Sequence, residues 1–130
     1  MSTATRSPVS KEAKKILSSG HNSSLLRSRN ALIQSAGYQV VTTRESVLLL
    51  QLAQEQHFDA VVLCNSIPIR LRTASARDLK QLKLNLALIV ICADGEESDF
   101  RDLADEIIRA ESGISQPLLE AISKLAGEPD

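Results

Sequence analysis

Two stretches of the chain are apolar at consecutive positions instead of alternate ones. Ala60, Val61, Val62 and Leu63 run unbroken between Asp59 and a polar turn that ends in Pro68. The run over 86–92, LALIVIC, is apolar throughout and stops at the turn signal Ala93, Asp94, Gly95. Successive side chains of a strand point to opposite faces, so a run with no polar member is a strand covered on both sides. Such strands belong to parallel sheets lying between two layers of helices. A central parallel strand aims its carboxyl end at the crevice where open α/β sheets bind ligands. In the stretch FDAVVLCNSIP, over 58–68, the residue at that end is Cys64.

The rest of the pattern fits around these two strands. Ile16 and Leu17 form a short strand core that ends in Ser18, Ser19, Gly20, His21 and Asn22. Asn22 or Ser23 can cap a helix over 24–36, whose Leu25, Leu26, Ala31, Leu32, Ile33 and Ala36 cover roughly one face. Gly37 follows where a left-handed residue closes a helix. The β-branched stretch over 38–43 predicts a strand, and 45–56 a second helix with Val47, Leu48, Leu50, Leu52 and Ala53 available for burial. After Pro68, residues 69–73 read as loop and 74–83 as helix. Residues 98–104 predict a short polar helix, and 106–110 a weak edge strand. Pro117 suits the first turn of a last amphipathic helix carrying Leu118, Leu119, Ala121, Ile122 and Leu125. Strand followed by helix, five times over, predicts an α/β fold with a five-stranded parallel sheet and helices on both faces.

Composition adds exclusions. The 130 residues suit one domain. It is expected over 14–127, between a frayed leader over 1–13 and a short tail over 128–130. A net charge of −1 gives no reason to expect nucleic acid or a membrane surface as partner. No apolar run approaches the roughly 20 residues of a membrane span, and the leader lacks the apolar core of a signal peptide. A cytoplasmic location is therefore expected, with Cys64 and Cys92 as thiols instead of a structural disulfide. Aromatic content is 2%, so packing is aliphatic and base stacking is not expected.

Three stretches resemble the receiver domain of bacterial two-component response regulators. They are LLRSRNALIQSAGYQVVTT over 25–43, FDAVVLCNSIP over 58–68 and ALIVICA over 87–93. The resemblance spans about Lys15 to Leu125. It implies a flavodoxin-like fold with sheet order 2-1-3-4-5. It also implies positions for a phosphorylation machinery, and these are changed throughout. Gly20 and His21 stand where receivers carry the acidic pair that holds Mg²⁺, and Cys64 where they carry the phosphoacceptor aspartate. Cys92 replaces the hydroxyl residue that ends the fourth strand. Ala110 replaces the lysine that ends the fifth, with Glu111 in the place of the following proline; a one-residue shift would bring Arg109 there. Mg²⁺ requires oxygen ligands, and a thiol cannot form an acyl phosphate. Asp59 lies at the opposite end of its strand, and Asp94 lacks a partner carboxylate. The expectation is a pseudo-receiver with no metal, no cofactor and no catalytic activity.

Two readings of the strand ends follow. In the implied sheet order His21, Cys64 and Cys92 end neighbouring strands. A Cys/His pair could activate a thiolate. Two cysteines with Cα atoms within about 7 Å could form a disulfide. The three together could hold zinc or help bind a small ligand. Against this, free cysteines are common core filler, and His21 in a polar loop suits a solvated side chain. His57 falls at the other end of the sheet. Arg27, Arg29, Arg70, Arg72, Arg77, Lys80 and Lys83 make a basic zone, read as a solvated face or as an interface to an acidic partner. The chain ends at Asp130, soon after the last helix, so the expected function is that of a stand-alone signalling module that binds a protein partner. In receivers partners dock on the fourth helix, fifth strand and fifth helix, which here maps to Ile107, Arg109, Leu118 and Ile122. A homodimer could use the same face.

Overall fold

A computed structural model describes residues 14–83, 85–111 and 113–129. The elements run β1 (Lys15–Ser19), α1 (Ser23–Ser35), β2 (Gln39–Thr43), α2 (Ser46–Glu55), β3 (Ala60–Leu63), α3 (Ile69–Leu82), β4 (Leu88–Cys92), β5 (Glu106–Arg109) and α4 (Ser115–Ala126). The five strands are all parallel, in the order β2-β1-β3-β4-β5. The flavodoxin-like α/β architecture expected from the sequence is therefore present.

The period-2 alternation of side chains splits the core in two. Ile16, Val62 and Ile89 pack with Ile33 of α1 and Ile122 of α4 on one side of the sheet. Leu17, Val61 and Val90 pack with Leu49 of α2 and Leu79 of α3 on the other. All four residues of β3 and all five of β4 are buried, as unbroken apolar runs require. Each fully buried Val, Leu or Ile contributes about 1.5–3 kcal/mol, so these two strands anchor both layers. The start of α1 is capped by the Asn22 side chain, which accepts from the Leu25 amide at 2.9 Å. Its end turns at Gly37, whose φ of +104° suits glycine and would strain other residues.

Three expectations are corrected. Residues 69–73 are not loop: α3 begins at Ile69, directly after Pro68. The reason is Arg72, a charged residue on the inward face of the first turn, only 1% exposed. Its Nε donates to Ile67 O at 3.0 Å and its Nη1 to Ile91 O at 2.9 Å, fastening the turn to the sheet edge. Next, residues 98–104 do not form an α-helix. They hold only a 3₁₀ turn at Glu97–Asp99, followed by further turns, so the described residues contain four α-helices and not five. The segment is acidic and supplies one fully buried apolar anchor, Phe100, too little to bury a helix face. Finally, Leu118 and Ile122 are fully buried on the inner side of α4 and cannot belong to an exposed interaction face.

Candidate functional site

The carboxyl ends of β1, β3, β4 and β5 meet at one edge, and the loops there are drawn tight. Gly20 sits where a Cβ would come 3.0 Å from Ser66 Oγ and 3.1 Å from Cys64 Cβ. Ser66 Oγ accepts from the amides of His21 at 2.9 Å and Asn22 at 3.1 Å, tying the loop after β1 to the loop after β3. The His21 carbonyl accepts from Arg44 at 3.1 Å, so the engaged part of this residue is its backbone.

Two guanidinium groups converge on Asn65. Arg29 of α1, 7% exposed, donates from Nη1 to Asn65 Oδ1 at 2.7 Å. Arg72 of α3 donates from Nη2 to Asn65 O at 3.4 Å. Arg72 also pairs with Glu96, Nη1 to Oε1, at 2.7 Å, and lies 5.4 Å from the Phe100 ring centroid. The hydrogen bond from Arg72 holds the Glu96 carboxyl below its ordinary range; burial opposes the shift, while the bond from the Ala93 amide and the charge of Arg72 reinforce it. Next to Asn65, then, two arginines stand with one carboxylate, Glu96.

In the sequence Arg29 and Arg72 stand out only as part of a basic zone, a solvated face or an interface to an acidic partner, and Asn65 and Glu96 do not stand out; both arginines are instead buried at the strand ends. A signal existed for Arg72: once the helix starts at Ile69, positions 72, 76 and 79 share one face with Ala76 and Leu79, which is the buried face.

The two cysteines do not meet. Cys64 belongs to the core under α1 and α4, Cys92 to the core under α2 and α3. They pack in different core layers, which gives no support to the disulfide, the shared metal or the joint ligand pocket as readings of this pair. Both are free and fully buried. Burial pushes the Cys64 thiol up, with the hydrogen bond and charge of Arg29 pulling the other way. Burial pushes Cys92 up to about 11, against the charge of Arg72. Among the described residues no three His, Cys, Asp or Glu side chains gather as metal ligands.

Ala110 rests against the α1/α4 core and donates its amide to Cys92 O at 2.8 Å, a purely structural contact. Of the expected interaction face, Ile107 is half-buried against the α2/α3 core. Arg109 is exposed but surrounded by carboxylates: Asp94 at 2.8 Å, Glu111 at 3.1 Å and Glu97 at 3.3 Å.

No protein-family profile matches the chain, and no curated protein does. Solved structures do match, and they define the class of fold as that of receiver domains. The chain is similar to a response regulator receiver domain from Clostridium thermocellum, with 22% identity and a TM-score of 0.77 over 87% of this chain and 94% of that one. It is also similar to the receiver domain of a sensor histidine kinase from Pseudomonas aeruginosa PAO1, with 15% identity and a TM-score of 0.79 over 90% and 100%. That structure holds a magnesium ion coordinated in its active site cleft. A third is a response regulator receiver domain protein from Methanospirillum hungatei JF-1, with 20% identity and a TM-score of 0.75 over 88% and 94%. The residues at this chain's own strand ends do not fit magnesium. Gly20, His21 and Cys64 offer no carboxylate, and Arg29 and Arg72 bring like charge to the same edge. Among the described residues no helix is long and apolar enough to cross a membrane.

Proposed function

We propose that this chain is a receiver-fold signalling module of a bacterial two-component type. It acts in the cytoplasm by binding a protein partner, without magnesium-dependent aspartyl phosphorylation and without catalysis of its own. The observation that carries the reading is the Arg29–Asn65–Arg72 cluster beside Cys64. Where a receiver carries its acceptor carboxylate, this chain holds a buried thiol flanked by Arg29 and Arg72. A phosphoryl group bound there would find no metal, no ammonium at Ala110 and no acceptor oxygen at Cys64. The strand ends then act as a fixed frame, and partner choice rests on the outer surface.

The test is incubation of the full chain with acetyl phosphate or beryllofluoride and Mg²⁺. Intact mass and the amide spectrum should both stay unchanged. Stoichiometric phosphate on the protein, released by hydroxylamine as an acyl phosphate is, would overturn the reading.

A further inference from the structure

Every large apolar side chain that is exposed among the described residues lies on α2 or α3: Val47, Leu48, Leu71 and Leu82. The pattern on the two helices brings most of them to one seam. Val47 and Leu50 are one turn apart on α2, and Leu71, Asp78 and Leu82 share a face of α3. Between the helices runs a groove of about 360 Å³, lined by Leu50, Gln54, Asp78, Gln81 and Leu82. Beside it, Arg70 and Arg77 are exposed, two turns apart on the same stripe of α3, and neither has an ion pair among the described residues. The basic zone seen in the sequence is thus divided. Arg29 and Arg72 are buried at the strand ends and Lys80 pairs with Asp105, while Arg70 and Arg77 stay available.

We infer that the α2–α3 seam docks an amphipathic helix of a partner protein, with an apolar stripe laid in the groove and acidic residues along the α3 side. This rests on the binding role proposed above and names its surface and partner chemistry. Arg70 and Arg77 outnumber the one carboxylate in the groove, Asp78, so the α3 side keeps a net positive charge that selects a negatively charged flank. It disfavours the chain's own first 13 residues, which carry Arg6 and Lys11 against Glu12 and no Leu, Ile or Phe. It equally disfavours a second copy, which would bring another basic α3 stripe to the seam.

The test uses the full ¹⁵N-labelled chain and a synthetic peptide of about 18 residues, long enough to hold a helix. The peptide has leucines at i, i+3, i+4 and i+7 and glutamates on one flank; a control carries lysines there. The glutamate peptide should shift amides of α2 and α3, bind more weakly as salt is raised, and outbind the lysine peptide. Val47→Glu and Arg70→Glu/Arg77→Glu should each weaken it by about tenfold or more. These positions are exposed, and circular dichroism checks that the variants fold. No binding, equal binding of both peptides, shifts centred on α4, or concentration-dependent dimerisation through the seam would each overturn the inference. The two readings fail separately. Phosphate uptake with intact peptide binding removes only the phosphorylation-independent role, and lost peptide binding without phosphate uptake removes only the seam.

Discussion

Arg72 Nη1 and Glu96 Oε1 stand 2.7 Å apart, joining the first turn of α3 to the loop after β4 through a pair whose arginine side chain is 2% exposed and whose glutamate is 23% exposed. The same guanidinium also feeds Ile67 O, Ile91 O and Asn65 O, so it closes the edge of the sheet. Replacing the carboxylate with an amide keeps an oxygen acceptor but removes the charge that balances a buried cation. Glu96→Gln should cost about 1.5–3 kcal/mol, the scale of a charged hydrogen bond. Arg72→Met should cost more, about 3–5 kcal/mol, because several buried acceptors lose their donor together. Urea unfolding monitored by circular dichroism measures both; equal, near-zero losses would show the pair to be ornamental.

The same pair sets a pH dependence. The Glu96 carboxyl is held below its ordinary value of 4.5, chiefly by the hydrogen bond from Arg72. A depressed folded-state value means that the carboxylate's stabilisation is complete above 4.5 and fades as pH falls through the lower folded value. The parent should therefore lose more stability than Glu96→Gln between about pH 5 and pH 3. Parallel urea titrations with identical slopes across that window would contradict the assignment.

Thiol chemistry offers a third check. Cys64 and Cys92 are fully buried, on opposite sides of the sheet, and burial raises both thiols, Cys92 to about 11. At pH 8 neither is a ready thiolate, so a disulfide-exchange reagent should label the native chain only through opening of the structure. Labelling should be slow in buffer and rapid in urea. Mild oxidation should yield no intramolecular Cys64–Cys92 bridge by mass spectrometry; formation of that bridge without unfolding would contradict the placement of the two residues.

Gly20 gives a steric prediction. A methyl group there meets Ser66 Oγ at 3.0 Å and Cys64 Cβ at 3.1 Å, both on a loop already held by two amides. Gly20→Ala should destabilise by about 1–3 kcal/mol, as overpacking does. In Gly20→Ala/Ser66→Ala the loss should be smaller than the sum of the single variants, since the contact exists only when both side chains are present. Additive losses would place the strain elsewhere.

How far the sequence showed all this depended on whether a residue's environment was local. The runs over 60–63 and 86–92 carry their burial in their own pattern, and the Asn22 cap lies within a turn of the helix it closes, so strands, sheet and α1 were legible. Arg72 was not. A charged residue reads as surface, and its partners Ile91 and Glu96 lie far along the chain; taking it as loop also moved the start of α3. Arg29 was hidden in the same way by its distance from Asn65. The acidic segment over 98–104 was expected to be helical from its place in the strand–helix alternation, yet with Phe100 alone fully buried it does not bury a helix face. Leu118 and Ile122 were assigned to an exposed surface by analogy of position, although their spacing on an amphipathic helix marks the inward stripe. The positions Gly20, His21, Cys64, Cys92 and Ala110 were found at the strand ends, but what fills the space between them was set by side chains from α1 and α3.

Carboxylates alone should not return a metal site to this edge. Gly20→Asp/His21→Asp/Cys64→Asp restores the acidic positions. An aspartate at 64 would lie in the field of Arg29 and Arg72, whose charges already act on the thiol there. The new carboxylate would therefore form an internal ion pair before it met a hydrated Mg²⁺, and the side chain at 20 would still press on Ser66. A site with a millimolar dissociation constant would stabilise the fold by about 1.4 kcal/mol at ten times that concentration. The triple variant should show no such gain in a thermal melt with Mg²⁺ against NaCl of matched ionic strength. Adding Arg29→Gln removes the competing cation. The three carboxylates then repel one another, so the quadruple variant should be less stable without metal and should recover with Mg²⁺. A full magnesium response in the triple variant would show that Arg29 does not block the site. Absence of a response in the quadruple variant would place the obstacle in the loop packing around Gly20 and Ser66.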